Sequence, residues 1–228
     1  LISSYHPKRR KVPVKDYQKK FVDFLLESGA LLFGDFTTKS GRKTPYFVNT
    51  GKFDDGAKIA TLGGFYADHI LACGLEPDIV FGPAYKGISL CVSAVSALYN
   101  KGKNIGYAFN RKEIKEHGDA GLLVGKKIKD GDRVVLVEDV ITAGTTMREI
   151  LPLLSSIAKI VMAGVVIAVD RCEKGEKDIS AVQEVESTYG VKVYPIVTIH
   201  QILEYHGPRL SAEDLKRAKD YLAQYGAK

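Results

Sequence analysis

Residues 133–146, RVVLVEDVITAGTT, set two adjacent carboxylates, Glu138 and Asp139, against three threonine hydroxyls and a single glycine, directly after an apolar run. A loop of backbone N–H groups and hydroxyls that feeds into a helix is a cradle for an anion. Carboxylates repel phosphate, so their place beside such a loop makes chemical sense if a polyol lies between: vicinal hydroxyls donate to the acids while a phosphate sits among the threonines. A phosphorylated pentose meets that description. An acid pair that caps the next helix or binds water at a sheet edge meets it too, and the stretch alone leaves both readings open. Gly144 stands by itself and no Gly-Lys-Ser/Thr follows, so neither a dinucleotide fingerprint nor a nucleoside triphosphate loop is present.

Four other stretches carry groups suited to anions. GPAYKG (82–87) follows an apolar run, its glycines permitting close backbone approach while Tyr85 and Lys86 offer a phenol and an ammonium. NRKEIKEHGDAG (110–121) places Arg111, Lys112, Lys115 and His117 among acids and glycines with Ile114 as almost its only apolar residue. That composition cannot pack stably; it reads as a flexible lid drawn over a bound anion to exclude water, or more plainly as a mixed-charge surface loop. Arg171, after VIAVD, can fork onto a carboxylate in a way lysine cannot. Lys39 sits in a Lys-Ser-Gly turn, where solvation is the ordinary fate of a lysine.

Elements that would position these groups are legible in the hydrophobic periodicity. Tyr17, Phe21, Phe24 and Leu25 recur at helical spacing behind Asp16, with Gly29 as a stop. Residues 31–51 predict two short strands about a turn at 39–42, and a helix follows from about Gly56 to Cys73. From Pro77 onward strand-length apolar runs alternate with helix-length segments: DIVFG, a helix over 88–99, NIGYAF, RVVLV, a helix after the threonines, KIVMAGVVIAVD, a helix begun by Ser180 with Gln183 and Glu184 near the capping-box position, and VKVYPIV. Thr198 and Ser211 can each cap a further helix. Such βαβ alternation predicts an α/β fold, a largely parallel sheet with helices on both faces and ligands at the carboxyl ends of its strands.

Bulk properties narrow the class. The 228 residues suit one domain, expected over 14–228, behind a basic leader of residues 1–13. The formal charge is +6, 33 basic against 27 acidic residues, but Lys8, Arg9, Arg10 and Lys11 lie together in the leader; without them 29 face 27 and the body is close to neutral. A solvated leader, rather than a nucleic-acid arm, is the expectation. No apolar run reaches the roughly 18 residues of a membrane helix. Cys73, Cys91 and Cys172 lack metal or redox spacing and read as reduced cytosolic thiols, and His69, His200 and His206 fit no zinc pattern with them.

The apolar run, acid pair and T-A-G-T-T resemble the phosphoribosyl diphosphate signature of type I phosphoribosyltransferases. Further on, KSGRKTPYFVNTG, VFGPAYKGI, FNRKEIKEHGDAG and AVDR follow one another as in orotate phosphoribosyltransferases of the single-function bacterial and fungal kind, a resemblance spanning residues 14–226. It implies a central mainly parallel sheet with a small N-terminal hood and a flexible catalytic loop. It also implies Mg²⁺-dependent, reversible transfer of ribose 5-phosphate from phosphoribosyl diphosphate to orotate, giving orotidine 5′-monophosphate in UMP synthesis. By the same resemblance Lys115, Asp139 and Lys39 are catalytic. The donor would be bound by Lys39, Tyr85, Lys86, Arg111, Lys112, Lys115, His117 and the run Glu138, Asp139, Val140, Ile141, Thr142, Ala143, Gly144, Thr145 and Thr146. Orotate would lie against Phe47, Val48, Thr142 and Arg171. Mg²⁺ would be held by diphosphate, ribose and water, with no direct protein ligand. A cytoplasmic homodimer whose 110–120 loop reaches the partner's site is implied as well. Two departures stand out: Phe47-Val48 replaces an aromatic pair, which leaves Val48 a backbone role, and Glu138 stands where many relatives carry aspartate. A regulator binding nucleic acid through the leader and a purine-type transferase are the rival readings.

Overall fold

The computed structural model describes residues 13–38, 41–112, 121–141, 144–175 and 178–227. Residues 1–12 of the leader lie outside them. The first helix, α1 (Asp16–Glu27), buries Phe21 and Leu25 of the predicted stripe together with Val22, while Tyr17 and Phe24 are partly buried against the same core. An antiparallel ribbon follows, β1 (Leu31–Thr37) with β2 (Lys43–Val48). Across the ribbon turn, Thr38 N donates to Arg42 O at 2.8 Å, and Gly41 adopts the left-handed φ of 81° that a side chain would resist.

A six-stranded sheet forms the body, in the order β5-β4-β3-β6-β7-β8. The strands are β3 (Ile79–Phe81), β4 (Gly106–Asn110), β5 (Leu123–Gly125), β6 (Arg133–Glu138), β7 (Val161–Asp170) and β8 (Val193–Thr198). All pairs are parallel except β4 with β5. The edge strand β5 was not expected from the sequence; three residues are too few to show a period.

Helices α2 (Gly56–Ala72), α3 (Lys86–Asn100), α4 (Thr145–Ile157) and α5 (Ala181–Tyr189) flank this sheet, and α6 (Ile199–His206) and α7 (Ala212–Tyr225) complete the chain. From β3 the chain crosses through α3 to β4 on one side, whereas from β6 it crosses through α4 and α5 toward the other. Right-handed crossovers running in opposite directions must put their helices on opposite faces. Accordingly, Val80, Val135, Val137 and Val166 pack with Leu62, Tyr66 and Ile70 of α2 and Leu90, Ala94 and Leu98 of α3. Ile79, Phe81, Val134, Leu136 and Val165 pack with Met147, Ile150 and Leu154 of α4 and Val185 of α5. Each buried aliphatic side chain contributes roughly 1.5–3 kcal/mol relative to exposure. A strand buried on both faces needs the continuous apolar run that β6 shows.

Three helix caps follow the sequence. Ser180 Oγ accepts from Gln183 N at 3.1 Å and Ser180 N donates to Gln183 Oε1 at 2.7 Å, so Gln183 rather than Glu184 closes that box. Thr198 forms the same box with Gln201, and Ser211 Oγ accepts from Asp214 N.

Candidate functional site

The order reversal between β3 and β6 is the point where such sheets bind ligands, because the chain leaves the two strands in opposite directions and opens a crevice beyond their carboxyl ends. There the loop after β3 brings Lys86 and the loop after β6 brings Asp139 to within 3.0 Å. Thr50, in the short helical turn after β2, donates through Oγ1 to the same Asp139 Oδ2, and Lys86 Nζ lies 3.3 Å from Thr50 Oγ1. Asp139 Oδ1 accepts from Val140 N at 2.7 Å. A cavity of about 170 Å³ opens beside this cluster, lined by Lys86 and Asp139, by Phe53, and by Leu62 and Leu90 at its apolar end.

The two acids differ electrically. Glu138 is buried, and burial, followed by the charge of Asp139, holds its carboxyl above the usual carboxylate range. Burial pushes Asp139 the same way, but the bonds from Thr50 and Lys86 and the lysine's charge outweigh it and keep the carboxyl below that range. Tyr66, fully buried on α2, donates to the Glu138 carbonyl at 2.7 Å and so fixes the strand end from which both acids emerge.

Two helix N-termini face the crevice. Gly144 is the N-cap of α4 in the left-handed conformation, φ 64°, and no side chain caps the helix among the described residues. A helix start without a side-chain acceptor presents its amides, here those of Thr145 and Thr146, to an external anion. Lys86 belongs to the first turn of α3, two residues earlier than the sequence predicts, because Gly87 N already donates to Pro83 O at 2.9 Å. Tyr85 occupies the N-cap position of that helix without a side-chain cap bond and is 72% exposed. Buried Asn110, at the end of β4, accepts from Ala84 N at 2.8 Å and anchors the intervening loop.

Arg171, at the end of β7, does not stand free. Its Nε and Nη2 donate to Glu173 Oε1 at 2.9 and 2.7 Å, Nη2 lies 3.4 Å from Thr44 Oγ1, and the guanidinium rests over the Tyr46 ring. Thr44 and Tyr46 share one face of β2, so Phe47 points its ring to the other, where it stacks on Phe36 at 5.5 Å. Phe47 therefore offers the Arg171 side its backbone, not its ring. Val48 packs on the core. After β4, Arg111 N donates to Leu122 O, the Arg111 Nε is buried without a partner among the described residues, and Lys112 lies 3.7 Å from Glu149 of α4. Ile141 packs beneath the cradle against the α4 side of the core. Lys39, Lys115, His117, Thr142 and Ala143 lie outside the described residues.

Thr50, Tyr66, Asn110 and Glu173 are functional neighbours that sequence reasoning missed. Only Glu173 had a visible signal, a charged residue two places beyond a strand-end arginine. His69 is a core residue: buried, 2.8 Å from the Tyr17 hydroxyl, and pulled down to about 4 chiefly by burial, hence neutral. Among the described residues no three His, Cys, Asp or Glu gather to hold a metal. Glu138 and Asp139 supply two carboxylates, one already bonded to Lys86, a donor set that suits a divalent cation carried on substrate oxygens rather than a protein cage. No described helix is long and apolar enough to cross a membrane.

A family model described as "Phosphoribosyl transferase domain" matches residues 51–197. The chain is 47% identical to an orotate phosphoribosyltransferase of Lachnoclostridium phytofermentans, covering 93% of this chain and 99% of that one. It is 50% identical to the orotate phosphoribosyltransferase of Bifidobacterium animalis subsp. lactis, covering 91% and 97%. Among solved structures, the orotate phosphoribosyltransferase of Francisella tularensis superposes with a TM-score of 0.83 at 38% identity, over 91% of this chain and 99% of that one.

Proposed function

The chain belongs to the orotate phosphoribosyltransferase family, and we propose from that premise that it transfers ribose 5-phosphate reversibly from phosphoribosyl diphosphate to orotate, yielding orotidine 5′-monophosphate and diphosphate for UMP synthesis. The observation that carries the reading is the meeting of the Glu138–Asp139 pair, Lys86 and the glycine-capped start of α4 at the β3/β6 reversal.

Breaking the bond from ribose C1 to diphosphate develops oxocarbenium-like charge on the sugar and negative charge on the leaving group, so catalysis rests on positioning and electrostatics. The 5-phosphate sits on residues 140–146 at the α4 N-terminus. Glu138 and Asp139 accept from the ribose hydroxyls and fix the ring. Lys86, whose side chain is 66% exposed, can turn from Asp139 toward the diphosphate without crossing packed structure. The diphosphate is also bound by Tyr85, Arg111 and Lys112, and by Lys39, Lys115 and His117, which lie outside the described residues. Arg171 takes the orotate carboxylate, and Phe47, Val48 and Thr142 bound the pyrimidine. Glu138 and Asp139 would face a Mg²⁺ ion carried on donor oxygens and water, and that ion would supply neutralising charge for the diphosphate. The enzyme acts as a cytoplasmic homodimer in which each 110–120 loop serves the partner's site; neither membrane nor nucleic acid takes part.

The test is Mg²⁺-dependent consumption of orotate on addition of phosphoribosyl diphosphate, with adenine and hypoxanthine in parallel. Orotate should be consumed and the purines left. Absence of turnover, or equal turnover of purines, would sink the assignment and favour the nucleic-acid or purine-type alternatives.

A further inference from the structure

Beyond β7 the chain makes a tight reversal that places Glu173 beneath Arg171. Asp170 Oδ1 accepts from Cys172 N at 2.8 Å, and Cys172 takes a left-handed φ of 52°, unusual for a residue with a side chain. The C-terminal residues then lock the reversal: Ala227 N donates to Cys172 O at 2.8 Å and Lys174 N to Tyr225 O at 2.9 Å, on either side of a Glu173–Gly226 bridge. Held this way, Glu173 Oε1 accepts three bonds, two from Arg171 and one from the Tyr46 hydroxyl at 2.8 Å. Its other oxygen lies 3.6 Å from Arg42 Nη1, and the Arg42 guanidinium in turn covers the Tyr225 ring.

Two features of this cluster exceed what stability needs. Glu173 engages Arg171 along one edge, Nε and Nη2, while Nη1 forms no hydrogen bond among the described residues. Two guanidiniums also surround one carboxylate, and all three side chains are at most a third exposed. A poorly solvated excess of one positive charge favours the arrival of an anion.

Resting on the assignment of Arg171 to orotate, we propose that Glu173 is a positioning residue for the pyrimidine carboxylate: it clamps Arg171 edge-on so that the remaining guanidinium edge is presented to substrate, while Arg42 keeps the cluster net positive. A guanidinium pre-aimed in this way loses little side-chain freedom when the carboxylate binds, which places the effect in orotate affinity.

Glu173→Ala, Glu173→Gln and Glu173→Asp, each shown by thermal melting to be folded, are assayed with both substrates varied, and binding of orotate is compared with that of uracil, which lacks the carboxylate. For Glu173→Ala the KM for orotate should rise about tenfold or more, the scale of one hydrogen bond between charged groups. The KM for phosphoribosyl diphosphate should change far less, and uracil binding should not follow the orotate loss. Glu173→Asp should recover part of the affinity and Glu173→Gln less, since it keeps the shape without the charge. An unchanged KM for orotate, or parallel losses for orotate and uracil, refutes the positioning role. If wild-type protein instead fails to consume orotate, it is the assignment of function that falls.

Discussion

At Glu138 burial acts on a carboxylate to which no cation is bonded among the described residues, whereas at Asp139 Thr50 and Lys86 reverse its effect, so the adjacent acids are unequal before substrate arrives. Glu138 binds its proton more tightly folded than unfolded. Its contribution is therefore fully present below the usual glutamate range and is lost as pH rises through the elevated folded value. Glu138→Gln removes that loss. The variant should melt with wild type near pH 4 and gain stability at pH 8, on the order of 1 kcal/mol or ~2–4 °C for a chain of this size. A pH-independent difference in melting temperature would show that Glu138 is not the titrating group. Activity should fall in the same variant, because a carboxamide is the weaker acceptor for a ribose hydroxyl.

Between residues and site stand the turns, and the β3–α3 turn is closely packed on its two glycines. A Cβ on Gly82 would lie 1.9 Å from the Gly87 carbonyl oxygen, and one on Gly87 would lie 2.7 Å from the Gly82 carbonyl carbon. Both contacts are backbone, so neither can yield by a rotamer change. Gly82→Ala should cost about 1–3 kcal/mol by overpacking and displace Tyr85 and Lys86. Melting temperature should drop by several degrees and the KM for phosphoribosyl diphosphate should rise while that for orotate moves less; unchanged values of both would mean that the turn tolerates opening. The glycines of this turn and of the threonine loop were legible because they punctuate apolar runs. So were the strands other than β5, the apolar run of β6 and the capping residues Ser180, Thr198 and Ser211, all of which leave a local pattern. Contacts made at long range left none: Thr50 meets Asp139 across 89 residues, Tyr66 meets Glu138 across 72 and Tyr46 meets Glu173 across 127. For the same reason Arg171 and Phe47, both assigned to the pyrimidine, could not be placed on opposite sides of β2 until the β1–β2 ribbon was seen against the end of β7.

For the whole molecule, the surface around α3 bears on the proposed homodimer. Tyr85, Val92 and Tyr99 are exposed at seven-residue intervals along that helix, and Tyr107 of β4 and Leu122 before β5 are exposed as well. A stripe of large apolar side chains that begins at the site itself suits a second copy seated there, close enough for each subunit to supply cations to the other. Subunit mixing tests the sharing directly. Lys115→Ala removes the lid cation and Asp139→Asn impairs the ribose site, so each homodimer should be nearly inactive. In a heterodimer with lids acting across the interface, one site pairs an intact Asp139 with an intact Lys115 from the other subunit, and the second site carries both lesions. Equal mixing makes half of the dimers heterodimers, so co-refolded protein should regain about a quarter of wild-type specific activity. Were each lid to serve its own subunit, both sites of every heterodimer would stay defective, and heterodimers isolated through two different tags would show no recovery.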